Sequence, residues 1–255
     1  MEVHAHSHTP RRKWTHYFWE FLMLFLAVFC GFLAEYKLEH MIENQREHSF
    51  MQSFIRDLER DTVNLNAGFP LKEQRVQAID SIFNFFEKSN NAAEVPAIIH
   101  SHMRRALWDR HYRRNDGTIG QLKNSGGLRL IRKRNVVDSI AAYDMQWARL
   151  EYWREAYTDN QRHGSEIVEK MLDATILLSI YKTDKSGSTN NLFNSAPSVK
   201  LNTAYLNEYL NFLYRQKFST IQDERNYRAV EQSAERLITL IKKEYHLSEG
   251  TPLEK

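Results

Sequence analysis

Hydrophobic positions fall into two regimes along the chain. From Phe21 to Ala34 fourteen residues pass without a charge, and extending back to Trp14 gives 21 residues with Glu20 as the only carboxylate. That is the length of a spanning helix, which needs about 20 mostly apolar residues. No Gly or Pro occurs between Ala34 and Ala67, so the helical pattern continues past the apolar run. Residues 43–49, ENQREHS, are wholly polar and predict a solvated stalk. Met51, Phe54, Ile55, Leu58 and Leu65 then return to helical spacing. One helix from Trp14 to about Asn66 would be about 80 Å long at the usual rise, ended by Gly68 and Pro70.

The remainder reads as further amphipathic helices. Val76, Ile79, Phe83 and Phe86 share a face of a second helix. SNNAAEVP predicts a turn, with Pro96 in the first turn of a third helix reaching about Arg114. GTIGQLKNSGGLRLIRKRN is irregular: a short helix closing at Gly126, then Leu128, Leu130 and Ile131 turning into the core. Gly126 or Gly127 is expected at positive φ there. The longest helix starts near Asn135, with Val136, Ile140, Tyr143, Trp147 and Leu150 on one stripe, resumed at Val168, Met171 and Leu178. Arg154, Gln161 and Gly164 interrupt it, which leaves open a break near residues 160–164. MLDATILLSIY is too short to span a membrane and carries Asp173, so it predicts core. TDKSGSTNNLFNSAPS has turn composition throughout. Two helices are expected to close the chain, the last capped by Ser219 with Gln222 three residues on, burying Val230, Leu237 and Ile241. No alternating strand pattern and no internal repeat emerge.

The fold class predicted is therefore all-α: an N-terminal transmembrane helix continuing into an antiparallel helical bundle. The expected division is a tail over 1–13, a span over 14–36, a helical stalk over 37–50, a bundle over 51–247 and a flexible tail over 248–255. Cleavage chemistry favours an uncleaved anchor, because a cut after Ala34 would put Phe32 where a small residue is wanted. A lipoprotein reading fares no better, with Phe29 before Cys30. Trp14, Tyr17 and Trp19 at one end of the span and Tyr36 at the other form an aromatic belt, with Glu20 among them at headgroup level. Arg11, Arg12 and Lys13 precede the span, whereas Lys37 and Arg46 are mixed with carboxylates after it. This bias predicts an inner-membrane, single-pass protein with its N-terminus in the cytoplasm and its bundle in the periplasm.

Composition narrows the chemistry. Nine Gly and five Pro in 255 residues favour helices, and a net charge of +3 gives no argument for nucleic acid. The single Cys30 excludes an internal disulfide and a cysteine zinc site. His4, His6 and His8 alternate in the tail as loose chelators would, but a solvated tail is the better reading. His100 and His102 are two apart on a helix and point to different sides. No HExxH, GxSxG, GxGxxG or Walker motif occurs, so no cofactor, metal or catalytic residue is assigned. Tyr143, Trp147, Tyr152, Trp153 and Tyr157 suit core and rim packing better than a pocket.

One segment departs from the average. Between Arg104 and Arg134 ten Lys or Arg stand against Asp109 and Asp116, a local charge of +8 in 31 residues. Arg104, Arg105, Arg110, Arg113, Arg114, Arg129 and Arg132 are the candidate anion- or partner-binding residues, with Arg110 and Arg114 expected on one helix face. The alternative is a face neutralised within the protein, and it is the favoured one.

Two stretches, "WEFLMLFLAVFCGFLAE" and "LKNSGGLRLIRKRNVVDSIAAYD", together resemble a family of uncharacterised Bacteroidota proteins, a domain of unknown function with one N-terminal span and a helical domain. The resemblance implies the same anchor-plus-bundle plan and brings no activity, cofactor or partner. The expected role is a non-enzymatic, membrane-anchored bundle mediating protein–protein contacts in the envelope, with a second copy or another envelope protein as partner. The alternative is a sensor-like bundle recognising an anionic ligand or surface through segment 104–157. A pocket lined by Arg and Tyr or Trp would favour the latter, and a flat apolar patch the former.

Overall fold

A computed structural model describes residues 14–89, 93–107, 109, 111–172 and 198–247. The chain is all-α. Among the described residues its helices are α1 (Trp14–Asn66), α2 (Phe69–Lys88), α3 (Ala97–Leu107), α4 (Gly117–Asn124), α5 (Arg134–Met171) and α6 (Leu206–Glu244). The residues divide into two compact units, one ending at Phe50 and the other starting at Met51.

In the first unit, α1 carries an 18-residue stretch of mean hydropathy 2.0 near the N-terminus, none of it buried. It is long and apolar enough to cross a membrane. Trp14, Tyr17, Trp19 and Tyr36 are all exposed, as are Phe21, Phe25 and Phe29, whose rings stack at four-residue spacing. Glu20 is exposed among them.

In the second unit, α5 and α6 lie antiparallel. Asn135 on α5 bonds Glu244 on α6 at 2.8 Å, the rings of Trp147 and Tyr227 meet midway, and Gly164 faces Phe212 near the far end. α2 packs on α3 and on α6. Met51, Phe54, Leu58 and Leu65 of α1 are buried, and Phe54 stacks edge-on against Tyr143 of α5. Asp57 takes the backbone N–H of Thr118 at 3.0 Å, so a neighbouring helix supplies a cap that α4's own Asp116 does not give.

Several elements differ from expectation. The third helix ends at Leu107 rather than near Arg114, and residues 111–116 are not helical. Asp61 fixes that segment by accepting the backbone and side-chain N–H groups of Asn115 at 2.8 and 2.7 Å, together with the hydroxyl of Tyr143 at 2.8 Å. α5 runs without a break through residues 160–164. Gly164 is there because a Cβ would lie 2.0 Å from the Phe212 ring, so it marks close helix contact and not a helix end. The chain closes with one 39-residue helix, not two, and Ser219 lies inside it instead of capping it. Two short strands do form, β1 (Glu94–Val95) and β2 (Val199–Lys200), paired antiparallel with Val95 opposite Val199. Two residues per strand leave no alternation to read, so only tertiary pairing reveals them.

Gly126 has φ 69°, closing the turn after α4 as expected. Ile131 is buried, while Leu128 and Leu130 of the following 3-10 turn are half-buried. The core stretches predicted at 173–181 and the loop at 183–197 lie outside the described residues.

Candidate functional site

On α2 the buried stripe is Phe69, Lys72, Arg75, Ala78, Ile79 and Ile82; of the face expected from the sequence Ile79 is fully buried, while Val76, Phe83 and Phe86 are half-buried. Two cations are therefore inside the bundle, Lys72 and Arg75 each 1% exposed. Isolated charges would be prohibitive there, so every donor needs a partner. Arg75 uses its guanidinium in three directions. Nε donates to the carbonyl of Ala106 at 2.9 Å, Nη2 to Gln216 Oε1 at 3.1 Å, and Nη1 to Tyr157 Oη while pairing with Asp109 at 2.8 Å. Lys72 Nζ sits 3.1 Å from Asp109 and 3.6 Å from Asp223, under the rings of Tyr112 and Tyr227. Tyr157 donates its hydroxyl to Asp109 at 2.5 Å. Two cations and two carboxylates thus balance in a polar layer that joins α2, α5, α6 and the chain after α3.

The layer sets the ionisation of its members. Burial pushes the Asp109 carboxyl up, but Lys72 and Arg75 outweigh it and hold it below the usual carboxylate range. Burial wins at Asp223, which is raised despite Lys72. Burial also raises the Tyr157 phenol, which stays a neutral donor.

Beside this layer a cleft of about 620 Å³ opens between α5 and α6. Arg149, Trp153, Tyr157 and Asn160 form one wall, spaced four, four and three apart on one helix face. Arg215, Ser219, Gln222, Asp223 and Asn226 form the other. Tyr157 and Asp223 belong to both the layer and the cleft, so the floor is held by Arg75, Asp109 and Lys72. Arg149 and Arg215 are exposed on the walls, and among the described residues neither guanidinium has a carboxylate partner. Trp153 is 58% exposed, and Tyr152 beside it 75%. Tyr214 and Phe218 add a second exposed aromatic pair on α6, their ring centroids 4.8 Å apart.

The basic segment is distributed over several elements. Arg104 and Arg105 stand in the last turn of α3, Arg113 and Arg114 in the irregular stretch, Arg129 in the 3-10 turn and Arg132 just before α5. Arg110 lies outside the described residues, and Arg114 is not helical, so the two do not form the expected helix-face pair. Arg114 and Lys123 both bond Asp144, at 2.6 and 2.8 Å, and Lys133 pairs with Glu244 at 3.5 Å. Arg104 is half-buried, while Arg105, Arg113, Arg129 and Arg132 are exposed. Of the five aromatics read from the sequence, Tyr143, Trp147 and Tyr157 are buried and Tyr152 and Trp153 face outward. His100 is buried and His102 half-buried, and among the described residues no His, Cys, Asp or Glu cluster has metal-binding geometry. The α6 wall was missed in the sequence, because Ser219 and Gln222 read as a capping box.

Comparison with family models, curated proteins and solved structures finds no match.

Proposed function

We propose that this protein is a non-enzymatic, single-pass membrane protein whose bundle recognises an anionic ligand in the cleft between α5 and α6, between the Arg149–Asn160 and Arg215–Asn226 faces. Residues 1–13 face the cytoplasm, residues 14–36 span the inner membrane, and the bundle lies in the periplasm. The observation that carries the reading is the pair of exposed guanidiniums, without a carboxylate partner among the described residues, lining a cleft with Trp153 and Tyr157. Guanidiniums donate bidentate, charge-assisted hydrogen bonds to carboxylates and phosphates. The cleft volume falls in the range of small-molecule sites, about 300–1,000 Å³. The test is binding of fluorescent anions to the full chain in neutral-lipid nanodiscs. Saturable binding that is lost in the Arg149→Gln, Arg215→Gln double variant supports the reading. Binding that survives it points to the 104–134 segment instead.

A second reading, contact with another envelope protein or a second copy, is favoured by the two exposed aromatic pairs, Tyr152 with Trp153 and Tyr214 with Phe218. Aromatic residues are enriched in interface cores. Cross-linking of the full chain in membranes, compared with a Tyr214→Ser, Phe218→Ser variant, tests it.

A further inference from the structure

The anionic reading of the cleft leaves its ligand class open, and the order of residues along the two walls narrows it. On α5 the wall runs from Arg149 to Asn160, and on α6 from Arg215 to Asn226. Each run spans eleven residue steps, about 16 Å at the helical rise. Because the helices are antiparallel, with Trp147 against Tyr227 at one end and Gly164 against Phe212 beyond the other, Arg149 lies at the Asn226 end and Arg215 at the Asn160 end. The groove therefore has one guanidinium at each end. A compact anion such as inorganic phosphate cannot engage both, so the complementary ligand is elongated and carries more than one negative charge.

Between the two arginines the lining is Trp153, Tyr157, Ser219, Gln222 and Asp223, with amides at both ends. Among the described residues no aliphatic side chain lines the groove, so these walls offer no aliphatic pocket for an acyl chain or for the apolar side chains of a peptide. Asn, Gln and Ser each donate and accept at once, which matches hydroxyl groups, themselves both donors and acceptors. Asp223 is acceptor-only when ionised and would take a hydroxyl proton donor, whereas it repels a phosphate placed over it. The exposed Trp153 provides a flat apolar face beside those polar groups, suited to the C–H face of a sugar ring.

We infer that the α5–α6 groove binds an acidic oligosaccharide, with carboxylates at the two arginines and a sugar ring against Trp153. This rests on the anionic reading of the same cleft and adds the ligand class. The binding needs no bond made or broken.

The test is calorimetric titration of the full chain in phosphatidylcholine nanodiscs, with empty nanodiscs as the blank. The probes are hexamers from polygalacturonate, alginate and hyaluronan, galacturonic acid monomer, maltohexaose, hexaglutamate and inorganic phosphate. At least one acidic hexasaccharide is expected to bind at a single site. Maltohexaose and the monomer should bind at least about tenfold more weakly, the first lacking charge and the second unable to reach both arginines. Arg149→Gln, Arg215→Gln and Trp153→Ala should each weaken the hexasaccharide about tenfold, the change that 1.4 kcal/mol of lost contact produces. All three positions are exposed, so melting temperature should not move. The inference is overturned if hexaglutamate binds as tightly as the best saccharide, if the monomer matches its hexamer, or if Trp153→Ala is without effect. Tight hexaglutamate or phosphate binding that needs Arg149 and Arg215 keeps the anionic reading and removes the saccharide. Silence of every anion removes both.

Discussion

Replacing Asp109 by Asn tests whether the polar layer holds the bundle together. The Asp109 side chain is 2% exposed and lies 3.1 Å from Lys72 and 2.8 Å from Arg75. At an effective dielectric of about 20, each such pair has a Coulomb energy of about 5 kcal/mol, most of it cancelled by the desolvation of both ions. Asn keeps the shape and one acceptor but removes the charge, so the cost is that of stranding buried cations, about 3–5 kcal/mol. Asp223, 3.6 Å from Lys72, still neutralises one of the two, which places the expected loss near the lower figure. With a urea slope of about 2 kcal/mol/M, the midpoint should fall by about 1.5 M.

The assay is urea unfolding of the full chain in detergent, followed by the fluorescence of the buried Trp147 and by circular dichroism. Glu73→Gln is the control, since Glu73 meets Arg228 at 3.5 Å across an exposed surface and should cost less than about 1 kcal/mol. Adding Lys72→Met to Asp109→Asn should recover part of the loss, because one stranded charge is gone. An Asp109→Asn midpoint no lower than that of Glu73→Gln would refute the reasoning, as would a double variant that is simply the sum of its parts.

Three other outcomes are expected. Burial, with Arg104 adding to it, holds His100 at about 4, below its usual 6.5. Between those pH values the unfolded chain takes up a proton that the folded chain refuses, so stability falls as pH drops through the window, by up to about 3 kcal/mol. His100→Gln should flatten that slope in melting temperature against pH, and an unchanged slope would exclude it. Gly164→Ala should cost about 1–3 kcal/mol by overpacking on Phe212, partly restored by Phe212→Leu, and Gly126→Ala about 1 kcal/mol because of its positive φ; urea midpoints check both. A reporter active only outside the cytoplasm, fused after Lys255, should be active, with the N-terminal tail retained in the mature protein.

The apolar stripes of α1, α5 and α6 were legible because their spacing is regular and their partners are apolar. Val136, Ile140, Tyr143 and Trp147 are buried in the order the period predicts. What misled the sequence reading was the loss of that period. The interruptions at Arg154, Gln161 and Gly164, and the polar run from Ser219 to Glu224, have the appearance of helix ends. In the fold Arg154 is level with that polar run on the antiparallel partner, Gly164 meets Phe212 farther along, and Lys72 and Arg75 of α2 reach Asp223, Tyr157 and Gln216 between them. A helix interior tolerates polar residues where neighbouring helices satisfy them, and only tertiary contact reveals which ones. Lys72 and Arg75 carry no local mark of burial, since their partners Asp109, Asp223, Tyr157 and Gln216 are all more than 30 residues away. The cleft was half-visible for the same reason: Trp153 and Tyr157 were noticed, but the facing wall lies on a helix whose continuity was not anticipated.

A bundle of this length needs no buried ion cluster to fold. Apolar residues of similar volume in place of buried ion pairs are often neutral or stabilising by about 1–4 kcal/mol. The layer is thus a poor choice for stability alone, and its geometric effect is to fix Tyr157 and Asp223 in the cleft floor. Arg75 and Asp109 hold the Tyr157 hydroxyl from two sides, and Lys72 holds Asp223. A floor fixed before binding lowers the ordering cost of a ligand, while the exposed Arg149 and Arg215 stand on the walls above it. Replacing Lys72 by Met, Arg75 by Leu and both Asp109 and Asp223 by Asn removes the charges together and leaves none stranded. The Ala106 carbonyl and Gln216 lose a donor in that variant, which costs about 1–3 kcal/mol and offsets the relief of desolvation. Its stability should therefore stay within about 2 kcal/mol of the parent, far better than Asp109→Asn relative to its small change in structure. Its affinity for anions in the cleft should nevertheless fall at least about tenfold. Equal stability with undiminished binding would show that the layer does not position the cleft.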